Sequence, residues 1–222
     1  MRKYSFRTQI SLLFLCLAAA RGALAAEPWQ QLETQLHRNA GLVGNEIATS
    51  FELPGDDAPD TGAYRTHILR GEKDGTPARS APEDAGAAKK SVLALGIAER
   101  FANHPEQLLQ APEAIVPLGA TTIGQRALSL YEVRSRFPNG KAPVTAKIWL
   151  DPASGELLKV AGAVTGIPMP GVKTVYFTVL YRADGEGRSL PATLTVDYTV
   201  SMFFHTGKIH FAQEFANWDK RP

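Results

Sequence analysis

Apolar and polar positions alternate most clearly near the C-terminus. Leu194, Val196, Tyr198, Val200, Met202 and Phe204 occupy every second position, with Thr195, Asp197, Thr199 and Ser201 between them. A period of two places each set on its own face of a strand, one buried and one polar. Strand patterning also marks residues 128–137, 144–150, 156–164, 174–182 and 209–215. Turn sequences separate these runs: Pro138-Asn139-Gly140, Asp151-Pro152-Ala153-Ser154-Gly155, 183–189 and His205-Thr206-Gly207. Strands joined by such turns predict an antiparallel meander from Ile123 to Phe215.

The first half reads differently. Trp29, Leu32, Leu36, Ala40 and Val43 recur at spacings of three and four, which predicts an amphipathic helix over 28–43. Pro28 suits its first turn, where a missing N–H costs nothing. Ile47, Phe51 and Leu53 suggest a short strand stopped by Pro54. Residues 54–63 carry loop chemistry, and Tyr64 to Arg70 reads as a strand. Residues 71–86 are rich in Gly, Pro and charge and predict a long mobile loop. A broad apolar surface over 87–103 predicts a second helix pressed against a sheet. The three prolines of 105–119 predict an irregular connection. Helices early and strands late give an α+β class, with two or more helices covering the apolar face of the sheet.

The N-terminus changes the charge arithmetic. Arg2, Lys3 and Arg7 precede an apolar run, Ile10 to Ala20, and small residues follow it to Ala26. That is the layout of a cleaved secretory signal. The run is shorter than the roughly 20 residues of a membrane span. The full chain has 24 Lys+Arg against 22 Asp+Glu. Removal of residues 1–26 takes away Arg2, Lys3, Arg7 and Arg21 and no acid, leaving 20 basic against 22 acidic residues in one domain, 27–222. Cys16, the only cysteine, leaves with the signal. Leu15 before it does not suit a lipidation site. A cysteine-free exported domain fits a bacterial periplasm, and thiol chemistry is excluded. With no dense Lys/Arg stripe, nucleic acid is excluded as a partner.

Motifs for catalysis are weak. No G-x-S-x-G elbow appears. Of His37, His67, His104, His205 and His210, the pair in 205–210 (HTGKIH) lacks a third ligand at metal spacing. Asp56, Asp57 and Asp60 do not follow a calcium loop. Asp151 reads as a turn residue and Asp197 as a polar-face strand residue. Gly185 and Gly187 stand between two strands, where no helix follows to receive a phosphate. No cofactor and no metal is expected. The prominent feature is an apolar sheet face. Tyr131, Val133, Ile148, Phe177, Val179, Tyr181, Tyr198, Met202, Phe204, Phe211 and Phe215 are its candidate lining for an acyl chain or another apolar ligand.

The run Ile148-Trp149-Leu150-Asp151-Pro152-Ala153-Ser154-Gly155-Glu156-Leu157-Leu158-Lys159-Val160 resembles the strand, Asp-Pro-x-[Ser/Thr]-Gly, strand hairpin of LolA/LolB-like proteins. Leu190-Pro191 at a strand opening and the closing Phe211-Ala212-Gln213-Glu214-Phe215-Ala216-Asn217-Trp218 are similar. The resemblance covers residues 123–218. It implies a curved antiparallel half-barrel with helices plugging its concave side. It also implies a periplasmic carrier of lipids or lipoproteins, without covalent catalysis, working with acyl chains and with an inner- or outer-membrane complex. For the family's cavity-gating arginine, Arg65, Arg70, Arg100 and Arg126 all stay open. Two other readings stand beside it. One is an envelope hydrolase with a dispersed site, which a Ser or Asp within hydrogen-bond reach of a histidine in a cleft would favour. The other is an accessory subunit that docks through an apolar patch or a sheet edge.

Overall fold

The computed structural model describes residues 28–55, 58–73, 76–80, 96, 112–136, 142–167, 170–202 and 205–220. Helix α1 covers 28–39. Ten strands follow: β1 Leu42–Leu53, β2 Asp60–Lys73, β3 Thr76–Arg79, β4 Ala114–Ile123, β5 Arg126–Arg136, β6 Pro143–Leu150, β7 Leu157–Thr165, β8 Val172–Ala183, β9 Ser189–Met202 and β10 His205–Lys220. They form one open sheet in the order β3-β2-β1-β10-β9-β8-β7-β6-β5-β4, and every neighbouring pair is antiparallel. The meander β4 to β10 is thus extended by a second meander, β1 to β3, through the β1–β10 pairing. Strands β3 and β4 are the two edges.

This corrects the α+β expectation of a sheet covered by two or more helices. The protein is dominated by strand, and among the described residues one helix, α1, packs on the sheet. The expected second helix lies outside the described residues, apart from Gly96, which is helical and exposed. Three segments account for the shift. Residues 42–53 form one long strand, because Gly41 at φ 87° ends α1 before Val43. Strand β2 begins at Asp60, inside the expected loop, and runs on to Lys73, and β3 occupies 76–79 of the expected mobile insertion. Strand β4 fills most of the expected irregular connection. It tolerates Pro117 because it lies at the sheet edge, and its ladder shifts register between Pro117 and Gly119.

Register fixes which side chains share a face. One row of paired residues runs Tyr131, Ile148, Val160, Val179, Leu194, Gln213, Thr49 and Tyr64 across eight strands. The row beside it runs Val133, Ala146, Gly162, Phe177, Val196, Phe211, Phe51 and Gly62. Apart from Gly162, Gly62 and the half-buried Tyr64, their members are buried. This inner face holds the hydrophobic core. Helix α1 sits on it through Trp29, Leu32 and Leu36. No helix among the described residues is long and apolar enough to cross a membrane.

Candidate functional site

Nine of the eleven candidate lining residues fall on the inner face and are buried. Tyr131, Val133, Ile148, Phe177, Val179, Tyr181, Tyr198, Phe211 and Phe215 all belong to one core cluster with Trp29, Leu32 and Leu36 of α1. Phe204 and the side chain of Met202 lie outside the described residues. The Trp29 ring meets Tyr131 at 5.5 Å between centroids, tilted by 57°. Burial there pushes the Tyr131 hydroxyl above the ordinary tyrosine range. The face stays apolar into β10 and β1 through Phe211, Phe215, Ile47 and Phe51, with one polar pair set among them. There Gln213 Nε2 donates to Thr49 Oγ1 over 3.1 Å, with both residues buried.

The β6–β7 turn is what seats α1. Asp151 Oδ1 accepts from the Ala153 and Ser154 amides, each at 2.9 Å, which closes the turn. Its Oδ2 accepts from Arg126 Nη2 at 2.9 Å, and the same guanidinium reaches Glu156 at 2.6 Å. Burial raises the Asp151 pKa, and the Arg126 bond together with the two amides outweighs it, bringing the group down to about 2. The turn then meets the helix. Gln35 Nε2 donates to the Ser154 carbonyl at 2.8 Å, and outside the turn Asn39 Nδ2 donates to the carbonyl of Ser189 at the start of β9 at 3.0 Å. The Asp-Pro-x-Ser-Gly motif therefore acts as a clamp on α1, and Asp151 is the turn residue expected from the sequence.

Two of the four open arginines are accounted for. Arg126 holds the β6–β7 turn, and Arg65 pairs with Glu46 at 3.1 Å on the exposed outer face. Arg100 and the side chain of Arg70 lie outside the described residues.

Two grooves open on the outer face. One, of about 440 Å3, has a floor of Ala48, Ser50, Ala63 and Ala212 between Arg65 and Glu214. The other, of about 550 Å3, crosses β1, β10, β9 and β8. Along its floor Glu52, His210, Asp197 and Tyr176 stand in one row of cross-strand partners. His210 Nδ1 donates to Asp197 Oδ1 over 2.7 Å. An ionised carboxylate only accepts, so this bond fixes the tautomer and leaves Nε2 facing away from Asp197. Lys173, Thr174, Thr199, Ser201 and Lys208 also line it, together with Gly171 and the buried Tyr198 and Ile209.

The sequence placed Asp197 on a polar strand face, where the structure has it, and read His210 as one of a histidine pair near the β9–β10 turn. It did not pair them, because the contact depends on the β9–β10 register. An Asp bound to a histidine in a groove meets the condition set for the hydrolase reading. The neighbouring hydroxyl, on Ser201, is engaged with Thr206 Oγ1 at 3.3 Å. Among the described residues no hydrogen bond joins a serine to the His210 ring, and no group of three or more metal-ligating side chains is found.

No protein-family model matches the chain, and no curated protein does. Solved structures show similarity. One is a domain assigned to outer membrane lipoprotein sorting in Vibrio parahaemolyticus, with 12% identity, TM-score 0.42, and coverage of 89% of this chain and 93% of that one. Another is MucB in complex with MucA(peri), with 11% identity, TM-score 0.24, and coverage of 89% and 99%. A third is the MucA/MucB complex of Pseudomonas aeruginosa, with 9% identity, TM-score 0.25, and coverage of 89% and 99%. At such identities and scores the three say nothing of this chain's ligand, partner or reaction.

Proposed function

We propose that the chain is an exported periplasmic binding protein of 27–222 that holds the acyl chain of a lipid or lipoprotein on its inner sheet face, without covalent catalysis. The observation that supports this reading is the continuous apolar surface from β5 to β9, onto which α1 adds Trp29, Leu32 and Leu36. An acyl chain entering there competes with those three side chains. Each buried side chain contributes about 1.5–3 kcal/mol, against about 0.8 kcal/mol per buried methylene, so a chain of roughly six to eleven carbons matches the helix.

A displacement titration with a fluorescent acyl probe tests the reading. Binding saturates at one probe per chain. Leu32→Ala weakens the competing helix and tightens the probe, while the outer-face variant Lys159→Ala leaves it unchanged. A probe that fails to bind, or binds both variants alike, contradicts the reading.

A second reading has its own observation. Edge strand β4 exposes Ile115, Val116, Leu118 and Ile123, which suits an accessory subunit docking on a membrane complex. Pro117 and the register shift beside it oppose strand addition, so docking there would use side chains. In-cell crosslinking from β4 that yields one dominant membrane-complex partner would favour this reading over the first.

A further inference from the structure

The outer groove over β8, β9, β10 and β1 is built differently from the inner face and has no part in holding an acyl chain. Its donors and acceptors are balanced. Asp197 and Glu52 offer carboxylate oxygens, Lys173 and Lys208 offer ammonium donors, and His210 is held in one tautomer by Asp197. Opposite charges are equal in number when the histidine is neutral, so the groove presents no net field to draw in an anion. The aromatic ring that the groove presents to solvent is Tyr176, 58% exposed at the end of the row, whereas Tyr198 and Ile209 beneath it are buried. An exposed aromatic ring on a rigid strand offers a flat apolar contact at low entropic cost.

One ligand chemistry uses all of these features. A sugar hydroxyl both donates and accepts, so a ring bearing several of them needs mixed partners of this kind. The apolar C–H face of the same ring needs a flat aromatic surface. The groove volume of about 550 Å3 lies in the range of small-ligand sites. We infer that this groove binds a neutral saccharide, with the sugar ring stacked on Tyr176 and its hydroxyls shared between Asp197, His210 and Lys208.

Saturation-transfer NMR on the full exported chain tests this, with maltotriose and the β-linked N-acetylglucosamine trimer as neutral probes and inorganic phosphate as the anionic one. One neutral trisaccharide binds with a dissociation constant below about 1 mM. Tyr176→Ala and Asp197→Asn each weaken it by about tenfold or more. Both side chains are exposed, so the melting temperature stays within a few degrees of the parent, and Lys159→Ala serves as a control that binds normally. The inference is overturned if neither sugar binds by about 10 mM. It is also overturned if phosphate binds and the sugars do not, or if the two groove variants bind as the parent does. The acyl-probe titration reads the opposite face, so failure of either result leaves the other standing.

Discussion

Gln35 donates to the carbonyl of Ser154 over 2.8 Å and thereby ties the described helix to the β6–β7 turn. Gly155 follows Ser154 directly and lies under the same helix. Its φ is 65°, a left-handed conformation that glycine adopts without strain. A methyl group there would stand 2.5 Å from Gln31 Cβ and 2.8 Å from the Pro28 carbonyl oxygen.

Gly155→Ala therefore combines two costs. The left-handed backbone contributes about 1–2 kcal/mol and the overpacking about 1–3 kcal/mol. Urea unfolding reads the sum as a lower midpoint with little change in slope. Stability within about 0.5 kcal/mol of the parent would show that α1 does not press on this turn.

Acid stability follows from the Asp151 carboxyl. Its folded pKa of about 2 lies below the ordinary aspartate value of 3.8, so its contribution is fully present above the unfolded value and is lost as pH falls through the folded one. Asp184, lowered in the same direction, adds to the same slope. Burial opposes its shift, and hydrogen bonds from the Arg188 and Glu186 amides and the Arg188 side chain outweigh burial. Stability measured between about pH 4 and pH 2 falls in the parent, and Asp151→Asn flattens that slope while costing about 1–2 kcal/mol at neutral pH. An unchanged slope in the variant would remove Asp151 from the acid response.

The buried Thr49–Gln213 bond is a coupled polar pair inside the apolar inner face. Gln213→Leu or Thr49→Val alone leaves one buried partner unsatisfied, at about 1–3 kcal/mol. The double substitution removes both polar groups together and costs less than the sum of the singles. A double-mutant cycle by chemical denaturation measures the difference. Strict additivity would mean that the two side chains do not interact.

The sequence carried the inner face well and the cover poorly. Period-two alternation of Leu194, Val196 and Tyr198 identified core positions because a half-buried strand leaves no other arrangement for them. The same logic placed Phe177, Val179, Phe211 and Phe215. It failed at Val43, whose spacing continues the α1 stripe but whose backbone lies beyond the left-handed Gly41. It failed again at β4, where Pro117 reads as a break and is tolerated at an edge that asks for no amide donor. The outer groove was hidden for a third reason. His210 and Asp197 are 13 residues apart, and only the cross-strand register brings them together with Tyr176 and Glu52.

If the inner face holds an apolar ligand, the protein leaves the cell envelope carrying it. Native mass spectrometry of the chain purified from the cell envelope, followed by organic extraction, tests this most directly. A bound lipid or acylated species at one per chain, displaced in the Phe177→Trp variant where extra bulk fills the same face, is the predicted result. Protein that is consistently unliganded in its mass spectrum, with no lipid in the extract, would mean that the inner face is a packed core and holds no acyl chain.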